Sequence, residues 1–221
     1  MKHCKDSQKQ RHLDSLIGVY LRAKGDILSA GYADEIDWQE DLSFDGVSEA
    51  DFLMEGAWVI LSSGMREKIV RRKFKVLSEI FFGWESAARI ANEKKICRAQ
   101  ALLHFGHVGK IDAIICMAER VSSESFDTVR ERIKRDGVSY LSTYPFIGPV
   151  TSYHLAKNLG LEVVKPDRHL VRISAVAGYS SPDEMCRVIA NVVGEKLSVV
   201  DLVLWRFATL FSGYPDIFRL G

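Results

Sequence analysis

Asp167 is the carboxylate whose surroundings are best suited to chemistry. It lies in the segment KPDRHLVR, residues 165–172, where a short apolar connector leads into an amphipathic helix. A fixed carboxylate at such a point can stabilise positive charge that develops on a bound molecule, and it can orient or deprotonate water. The same position is also typical of a helix N-cap, which needs only a hydrogen-bond acceptor. The segment alone leaves a chemical role and a capping role open.

A second stretch has the pattern of two helices joined by a tight turn. It reads LSTYPFIGPVTSYHLAKNLG, residues 141–160, and we expect helices that end near Tyr144 and run from Pro149 to Asn158. Gly148 has no Cβ, so a phosphate can approach its N–H, and Thr151 offers a hydroxyl. A helix N-terminus adds unpaired N–H groups and the positive end of a dipole. The turn therefore suits a phosphate, although any helical hairpin needs a turn of this kind.

Together the two segments resemble the helix-hairpin-helix (HhH-GPD) superfamily of DNA glycosylases. That family pairs a P-x-[IV]-G-x-x-[TS] hairpin with a downstream aspartate and an H/N-x-x-R tail. This chain reads PFIGPVT at residues 145–151 and DRHLVR at residues 167–172. A third segment, WVILSSGMR at residues 58–66, is similar to the family's early helix and the loop that follows it. In the family, that loop helps to fill the space left by a flipped base.

The resemblance implies a fold and a partner. The fold is all-α, with two helical lobes and a DNA-binding groove, and the helix-hairpin-helix motif covers about residues 136–159. One lobe is residues 64–158, and the other joins residues 1–63 to residues 159–221 and carries Asp167. The implied partner is double-stranded DNA that contains a damaged or modified base. We expect a monomer that is cytoplasmic and associated with the nucleoid.

The resemblance also implies roles for individual residues, with Asp167 as the catalytic residue. The expected DNA contacts lie in the hairpin, in the loop after the early helix and beside Asp167: Pro145, Ile147, Gly148, Val150, Thr151, Ser63, Gly64, Met65, Arg66, Lys165 and Arg168. A base lifted out of the duplex needs a stacking wall, for which the candidates are Trp58, Trp38, Tyr153 and His154. Packing in the core is the commoner role of such aromatic side chains.

The expected reaction is hydrolysis of an N-glycosidic bond in base excision repair. Cleavage builds positive charge on the sugar, which a carboxylate stabilises, and the base must first leave the stack. Family members with AP-lyase activity carry a lysine where this chain has Val150, and a valine cannot form a Schiff base. We therefore expect a monofunctional DNA N-glycosylase. Phe146 is a second departure, because it replaces the family's first hairpin glycine.

Composition limits the alternatives. The net charge is only +1, but residues 66–75 carry six basic side chains and one acid, and residues 130–135 carry four more basic ones. Such runs attract polyanions, although they are also typical of solvated helix faces. No apolar run is long enough to cross a membrane and no secretory signal is present, so we expect no membrane partner. The four cysteines are scattered, so zinc and an iron–sulfur cluster are not expected. We expect no metal and no cofactor, and leave open only a monovalent cation at the hairpin.

Two other functions compete with the enzyme. A non-catalytic DNA-binding protein would keep the hairpin and lack excision, and a helical scaffold would use the hairpin only to turn the chain. An aspartate in the expected context favours the enzyme. The basic run at residues 66–75 argues mildly against the scaffold.

The elements that must position these residues are helices. Apolar residues recur at helical spacing along most of the chain, and glycines follow the periodic stretches. Ser48 with Asp51 three residues later predicts a capping box, and Ser181 before Pro182 predicts a helix start. Residues 34–47 are the best candidate for a long loop.

Overall fold

The chain is helical along its described length. The structure is a computed structural model, and it describes the backbone of residues 2–220 and the side chains of residues 7–220. Within that range it has fourteen α-helices, two short 3-10 helices and no strand. This confirms the all-α prediction.

The helices form two compact units with boundaries that differ from the expected lobes. One unit, the terminal unit, comprises Met1–Leu42 and Glu162–Gly221, and the other, the middle unit, comprises Ser43–Leu161. Residues 43–63, expected in the lobe that carries Asp167, belong to the middle unit. The cause is the helix at Glu49–Ser62, which packs on helices of the middle unit. The expected groove stays a prediction.

The terminal unit is built around one apolar helix. Its helices are α1 (Lys2–Ser29), α2 (Ala33–Asp41), α11 (Arg168–Val176), α12 (Pro182–Val193), α13 (Leu197–Leu210) and α14 (Tyr214–Ile217). Val199, Val200, Val203 and Leu204 of α13 are all buried. A helix that is apolar on most sides needs neighbours on most sides, and α1, α2, α11 and α12 pack around α13.

The middle unit is arranged around α7 (Val108–Glu124). Its other helices are α3 (Glu49–Ser62), α4 (Glu67–Ile80), α5 (Ala87–Asn92), α6 (Lys94–His104), α8 (Phe126–Asp136), α9 (Val138–Leu141) and α10 (Thr151–Asn158), with 3-10 helices at Phe44–Gly46 and Phe82–Trp84. Helices α3, α5, α6 and α8 all contact α7. The α3–α7 crossing is close, because a Cβ added to Gly56 would lie 2.4 Å from the Met117 sulfur.

Two of the expected helix starts are confirmed, and the expected long loop is wrong. Ser48 and Asp51 form a reciprocal capping box at α3, and the Ser181 hydroxyl accepts a hydrogen bond from the Glu184 N–H at the start of α12. Residues 34–47 instead contain α2 and the 3-10 helix at Phe44–Gly46. Helix α2 forms because Ile36 and Gln39 are buried on the side that packs on α13.

Among the residues that the structure describes, no helix is both long enough and apolar enough to cross a bilayer.

Gly160 provides a test of the packing at the end of α10. Its φ is +80°, and an added Cβ would lie 2.8 Å from the Phe44 nitrogen and 2.9 Å from Ser43 backbone atoms. Backbone atoms cannot yield cheaply, so Gly160→Ala should lower the free energy of unfolding by roughly 2–5 kcal/mol, from backbone strain and overpacking together.

Gly64→Ala is the matched control in the same unit. Gly64 has a φ of +68° and open space around the added Cβ, so only the backbone strain of roughly 1–2 kcal/mol applies. Urea denaturation of both variants separates the two contributions. Equal losses would show that Gly160 is not tightly packed.

Candidate functional site

A turn of nine residues, 142–150, joins α9 to α10 and contains the hairpin residues. Both expected helix bounds are corrected. Helix α9 ends at Leu141 rather than near Tyr144, and α10 begins at Thr151 rather than at Pro149. Within the turn, Phe146 has a left-handed backbone with a φ of +65°. Helical hydrogen bonding resumes where the Ser152 N–H donates to the Gly148 carbonyl at 2.9 Å.

The Thr151 hydroxyl is used to close this turn. The Gly148 N–H donates to Thr151 Oγ1 at 2.6 Å, and the hydroxyl can donate to the Gly148 carbonyl at 3.2 Å. The expectation that the Gly148 amide and the Thr151 hydroxyl face a phosphate is therefore corrected, because they bond to each other. A backbone N–H commonly donates to the hydroxyl of a residue three positions later in the chain.

The next two amides are open. None of the hydrogen bonds of the described residues has the N–H of Val150 or of Thr151 as its donor. These are the N–H groups that an α-helix leaves without an internal partner at its N-terminus. Val150 itself is 43% exposed. Two adjacent unpaired N–H groups at the positive end of a helix favour an anion.

The remaining hairpin side chains divide between surface and core. Pro145 is exposed, whereas Ile147 is buried in the middle unit. The side chain of Ile147 therefore stabilises the turn, and only its backbone is left for a ligand.

Arg120 anchors the start of the turn from α7. Its guanidinium donates to Thr143 Oγ1 at 2.8 Å and lies over the Tyr144 ring at 4.4 Å and the Tyr140 ring at 4.7 Å. Burial raises the pKa of Tyr144 far above its ordinary value, so this phenol stays neutral. These contacts hold a helix of only four residues, α9, in one place.

Phe146 takes an unusual backbone conformation for a large side chain. A left-handed φ costs a residue with a Cβ roughly 1–2 kcal/mol. The ring is 43% exposed, and one edge of it packs on the first turn of α7. An added Cβ at Gly109 would lie 3.0 Å from the Phe146 Cζ atom, and the His107 ring meets the phenyl ring edge-on with centroids 5.6 Å apart.

The loop between α3 and α4 holds Ser63, Gly64, Met65 and Arg66. Its Gly64 and Arg66 are exposed, and the Met65 N–H closes a turn on the Ser62 carbonyl at 3.0 Å. Lys110, which the sequence analysis missed, fixes this loop. Its buried ammonium donates to the carbonyls of Leu61 at 2.8 Å and Ser63 at 2.5 Å. Burial lowers the pKa of Lys110 below its ordinary value.

Helix α4 carries most of the basic run that follows the loop. Lys68, Arg71, Arg72 and Lys75 are exposed on it. Arg71 pairs with Glu67 at 2.5 Å on the same helix, and Lys73 donates to the His104 carbonyl at 2.6 Å. The run therefore gives the middle unit a positively charged surface next to Arg66.

Asp167 belongs to the terminal unit and is the N-cap of α11. Its Oδ1 atom accepts hydrogen bonds from the N–H of His169 at 2.8 Å and of Leu170 at 3.1 Å. Its Oδ2 atom accepts none from the residues that the structure describes, and the side chain is half-buried. The capping interpretation is thus confirmed as a structural role. One oxygen is anchored by the helix, and the other has no hydrogen-bond partner among the described residues.

His169 and Arg168 lie beside this carboxylate. Arg168 Nε donates to His169 Nε2 at 3.3 Å, so the other ring nitrogen carries the proton and donates to the Tyr214 hydroxyl at 3.0 Å. Burial lowers the pKa of His169, which keeps the imidazole neutral near pH 7. The Lys165 N–H donates to the buried Asp201 carboxylate at 2.7 Å, which fixes the backbone before Asp167.

The four candidates for a base pocket are divided between the units. Trp38 is 45% exposed on α2 of the terminal unit, whereas Trp58, Tyr153 and His154 belong to the middle unit. The half-buried Trp58 packs edge-on against Phe74 at 5.2 Å, with the Arg71 guanidinium 5.4 Å from its centroid. Packing on α4 is therefore the observed role of Trp58. Tyr153 and His154 are half-buried neighbours on α10.

Neither a metal site nor a match to a known protein identifies the function of this chain. Across the described side chains, no group of three or more His, Cys, Asp or Glu residues could hold a metal ion. The monovalent cation at the hairpin stays a prediction. No known family model, no curated protein and no solved structure matches this chain.

Removing the Lys110 ammonium should release the loop at residues 63–66. Lys110→Met leaves two carbonyls at the end of α3 without their donor, which should lower the free energy of unfolding by roughly 2–4 kcal/mol. Trypsin should also cut faster after Arg66 in the folded variant. Lys95→Met, an exposed site on α6, should change stability by about 0.5 kcal/mol or less. Equal effects of the two substitutions in urea denaturation would contradict the role given to Lys110.

Proposed function

We propose that this protein is a monofunctional DNA glycosylase that extrudes a damaged or modified base from duplex DNA and hydrolyses its N-glycosidic bond. The proposal rests mainly on the carboxylate of Asp167, which has one oxygen anchored by α11 and one without a partner among the described residues. Lys165 and Arg168 flank it in the sequence. The resemblance of residues 145–151 and 167–172 to the helix-hairpin-helix glycosylases gives the carboxylate its role.

In the proposed reaction, the unbonded Asp167 oxygen faces the sugar of the extruded nucleotide. As the bond from C1′ to the base breaks, the bonding electrons leave with the base and positive charge develops on the sugar. A carboxylate fixed by two backbone N–H groups stabilises that charge without having to reorganise. It also orients the water that adds to C1′ and accepts its proton, and transfer of that proton to the departed base anion restores the carboxylate.

The proposed DNA contacts of the middle unit go to the phosphate backbone. The open N–H groups of Val150 and Thr151 would bind one phosphate, and Arg66 with the basic run on α4 would bind others. Such contacts hold DNA without reading its sequence, as a repair enzyme that must scan many sequences requires. Val150 supplies no amine, so the proposal includes no lyase step.

A non-catalytic DNA-binding protein is the second candidate. The observation that favours it is the cap itself, because capping α11 is a sufficient structural reason for an aspartate at position 167. The two functions share every contact with the backbone and differ only in the role of the second carboxylate oxygen. A substitution that keeps the cap and removes the charge separates them.

Asp167→Asn is that substitution. The amide oxygen of asparagine can accept the hydrogen bonds from His169 and Leu170, so the helix should stay capped. The charge facing the sugar is lost, so single-turnover base release should fall about 100-fold or more, while DNA affinity stays nearly unchanged. The substrates are duplexes that carry uracil, an alkylated purine or an oxidised base.

The control is Asp183→Asn, in the first turn of α12 in the same unit. Asp183 pairs with Arg187 at the surface, so its loss should leave excision unchanged. Excision by Asp167→Asn at wild-type speed would remove Asp167 from the reaction. Tight DNA binding by a wild-type protein that releases none of these bases would favour the non-catalytic alternative.

Gly148→Asp should separate DNA binding from folding. Gly148 is not among the residues with a positive φ, and an added Cβ would meet only Thr151 Oγ1, at 3.8 Å. The new carboxylate should therefore fit, and it should stabilise the start of α10 by roughly 0.3–1 kcal/mol. It should repel a phosphate at the same place and weaken duplex binding about tenfold or more.

Binding and thermal melting should be measured together for this variant. If the wild-type protein neutralises about four phosphates, the log–log salt slope should lie near −3 to −4. Gly46→Asp is the control, because it adds the same charge near the C-terminal end of α10, where nothing lies within 4 Å of the added Cβ. Unchanged affinity in a folded Gly148→Asp variant would mean that the hairpin is only a turn.

A further inference from the structure

The ring of Phe146, in the middle of the 142–150 turn, is placed by two locally unfavourable features. Its backbone is left-handed, with a φ of +65°, a conformation that side chains rarely adopt. The space beside the ring exists because residue 109, in the first turn of α7, has no side chain, and an added Cβ would lie 3.0 Å from Phe146 Cζ. Glycine is a poor helix former. The left-handed backbone of Phe146 and the glycine within α7 therefore both contribute to placing this ring.

Contacts within the protein cover only part of Phe146. The side chain stays 43% exposed, although it contacts Gly109 and His107. Val150 is also 43% exposed and Val108 is 49% exposed. Exposed apolar residues therefore lie within the turn and at the first residue of α7.

The backbone of Phe146 lies close to the start of α10. The Phe146 carbonyl is 3.5 Å from Thr151 Oγ1, so the backbone of residue 146 lies against the first residue of that helix. The N–H groups of Val150 and Thr151 are at the start of this helix, and they have no acceptor among the described residues. The turn therefore carries the exposed Phe146 a few residues before two N–H groups that could bind an anion.

We infer that Phe146 is a DNA contact that packs on the deoxyribose adjoining the phosphate bound at the start of α10. The inference rests on the proposed function. Along a DNA strand, charged phosphates alternate with sugars whose C–H groups are apolar, and the turn offers N–H groups to the phosphate and a phenyl ring to the sugar. Phosphate and sugar contacts position a protein without reading bases, so this contact adds affinity and no sequence preference.

Phe146→Gly tests the inference, because glycine relieves the left-handed backbone while it removes the ring. The probe is an undamaged duplex of defined length, with the dissociation constant measured across a range of salt concentrations. We expect affinity to fall about tenfold at every salt concentration and the salt slope to stay unchanged, because an apolar contact releases no counterions. Phe146→Asn, which tolerates the same backbone, should have the same effect and replaces Phe146→Gly if that variant does not fold.

Phe82→Gly is the matched control. Phe82 is a second aromatic residue with a left-handed backbone in the middle unit, its φ is 58°, and the Arg89 guanidinium covers its ring at 3.9 Å. Its loss should leave DNA affinity unchanged. Thermal melting of all variants confirms that each is folded.

The outcomes separate this inference from the proposed function. Unchanged affinity in Phe146→Gly, with Gly148→Asp still defective, would overturn the sugar contact and leave the DNA-binding hairpin standing. A loss that appears only with single-stranded DNA would also overturn it, since stacking on an unpaired base would then explain the ring. A wild-type protein that binds no duplex at low salt would overturn both.

Discussion

The buried ammonium of Lys110 is the contact on which the arrangement of the middle unit depends. It neutralises the negative end of α3 by binding the carbonyls of Leu61 and Ser63, and it does so from the first turn of α7. The residue before it, Gly109, receives the ring of Phe146. One helical turn therefore fixes both the loop at residues 63–66 and the 142–150 turn. A charge buried at 3% exposure is costly unless its hydrogen bonds are good, so this geometry has little freedom to vary.

Within the 142–150 turn, some polar groups bond to each other and others have no partner among the described residues. The Gly148 N–H donates to Thr151 Oγ1, and this hydrogen bond closes the turn. The amides that follow, at Val150 and Thr151, are then at the start of α10 with no acceptor among the described residues. In the terminal unit Asp167 divides its two oxygens in the same way, one for the helix and one left over. In both places, a local hydrogen bond fixes the backbone beside a polar group that has no partner among the described residues.

The sequence predicted the class of fold better than its boundaries. Helical periodicity was sufficient for an all-α fold, and the caps at Ser48 and Ser181 follow from spacing alone. The acidic stretch at residues 34–47 looked like a loop because its charges hide the two residues, Ile36 and Gln39, that α2 buries. Lys110 was missed because its partners are main-chain carbonyls 49 and 47 residues away, which leave no pattern in side-chain types. The Gly148 amide was predicted to face a phosphate because the sequence does not show that the Thr151 hydroxyl accepts its hydrogen bond.

The position of Asp167 at a helix cap has an evolutionary consequence. A single nucleotide change turns an aspartate codon into an asparagine codon, and asparagine is as good a cap as aspartate. Selection for folding would not detect that change. If the proposed chemistry is correct, the mutant protein would still find its lesion and would occupy it without releasing the base, which shields the damage from other repair enzymes. Selection against the mutation would then come from the blocked lesion rather than from the loss of a folded protein.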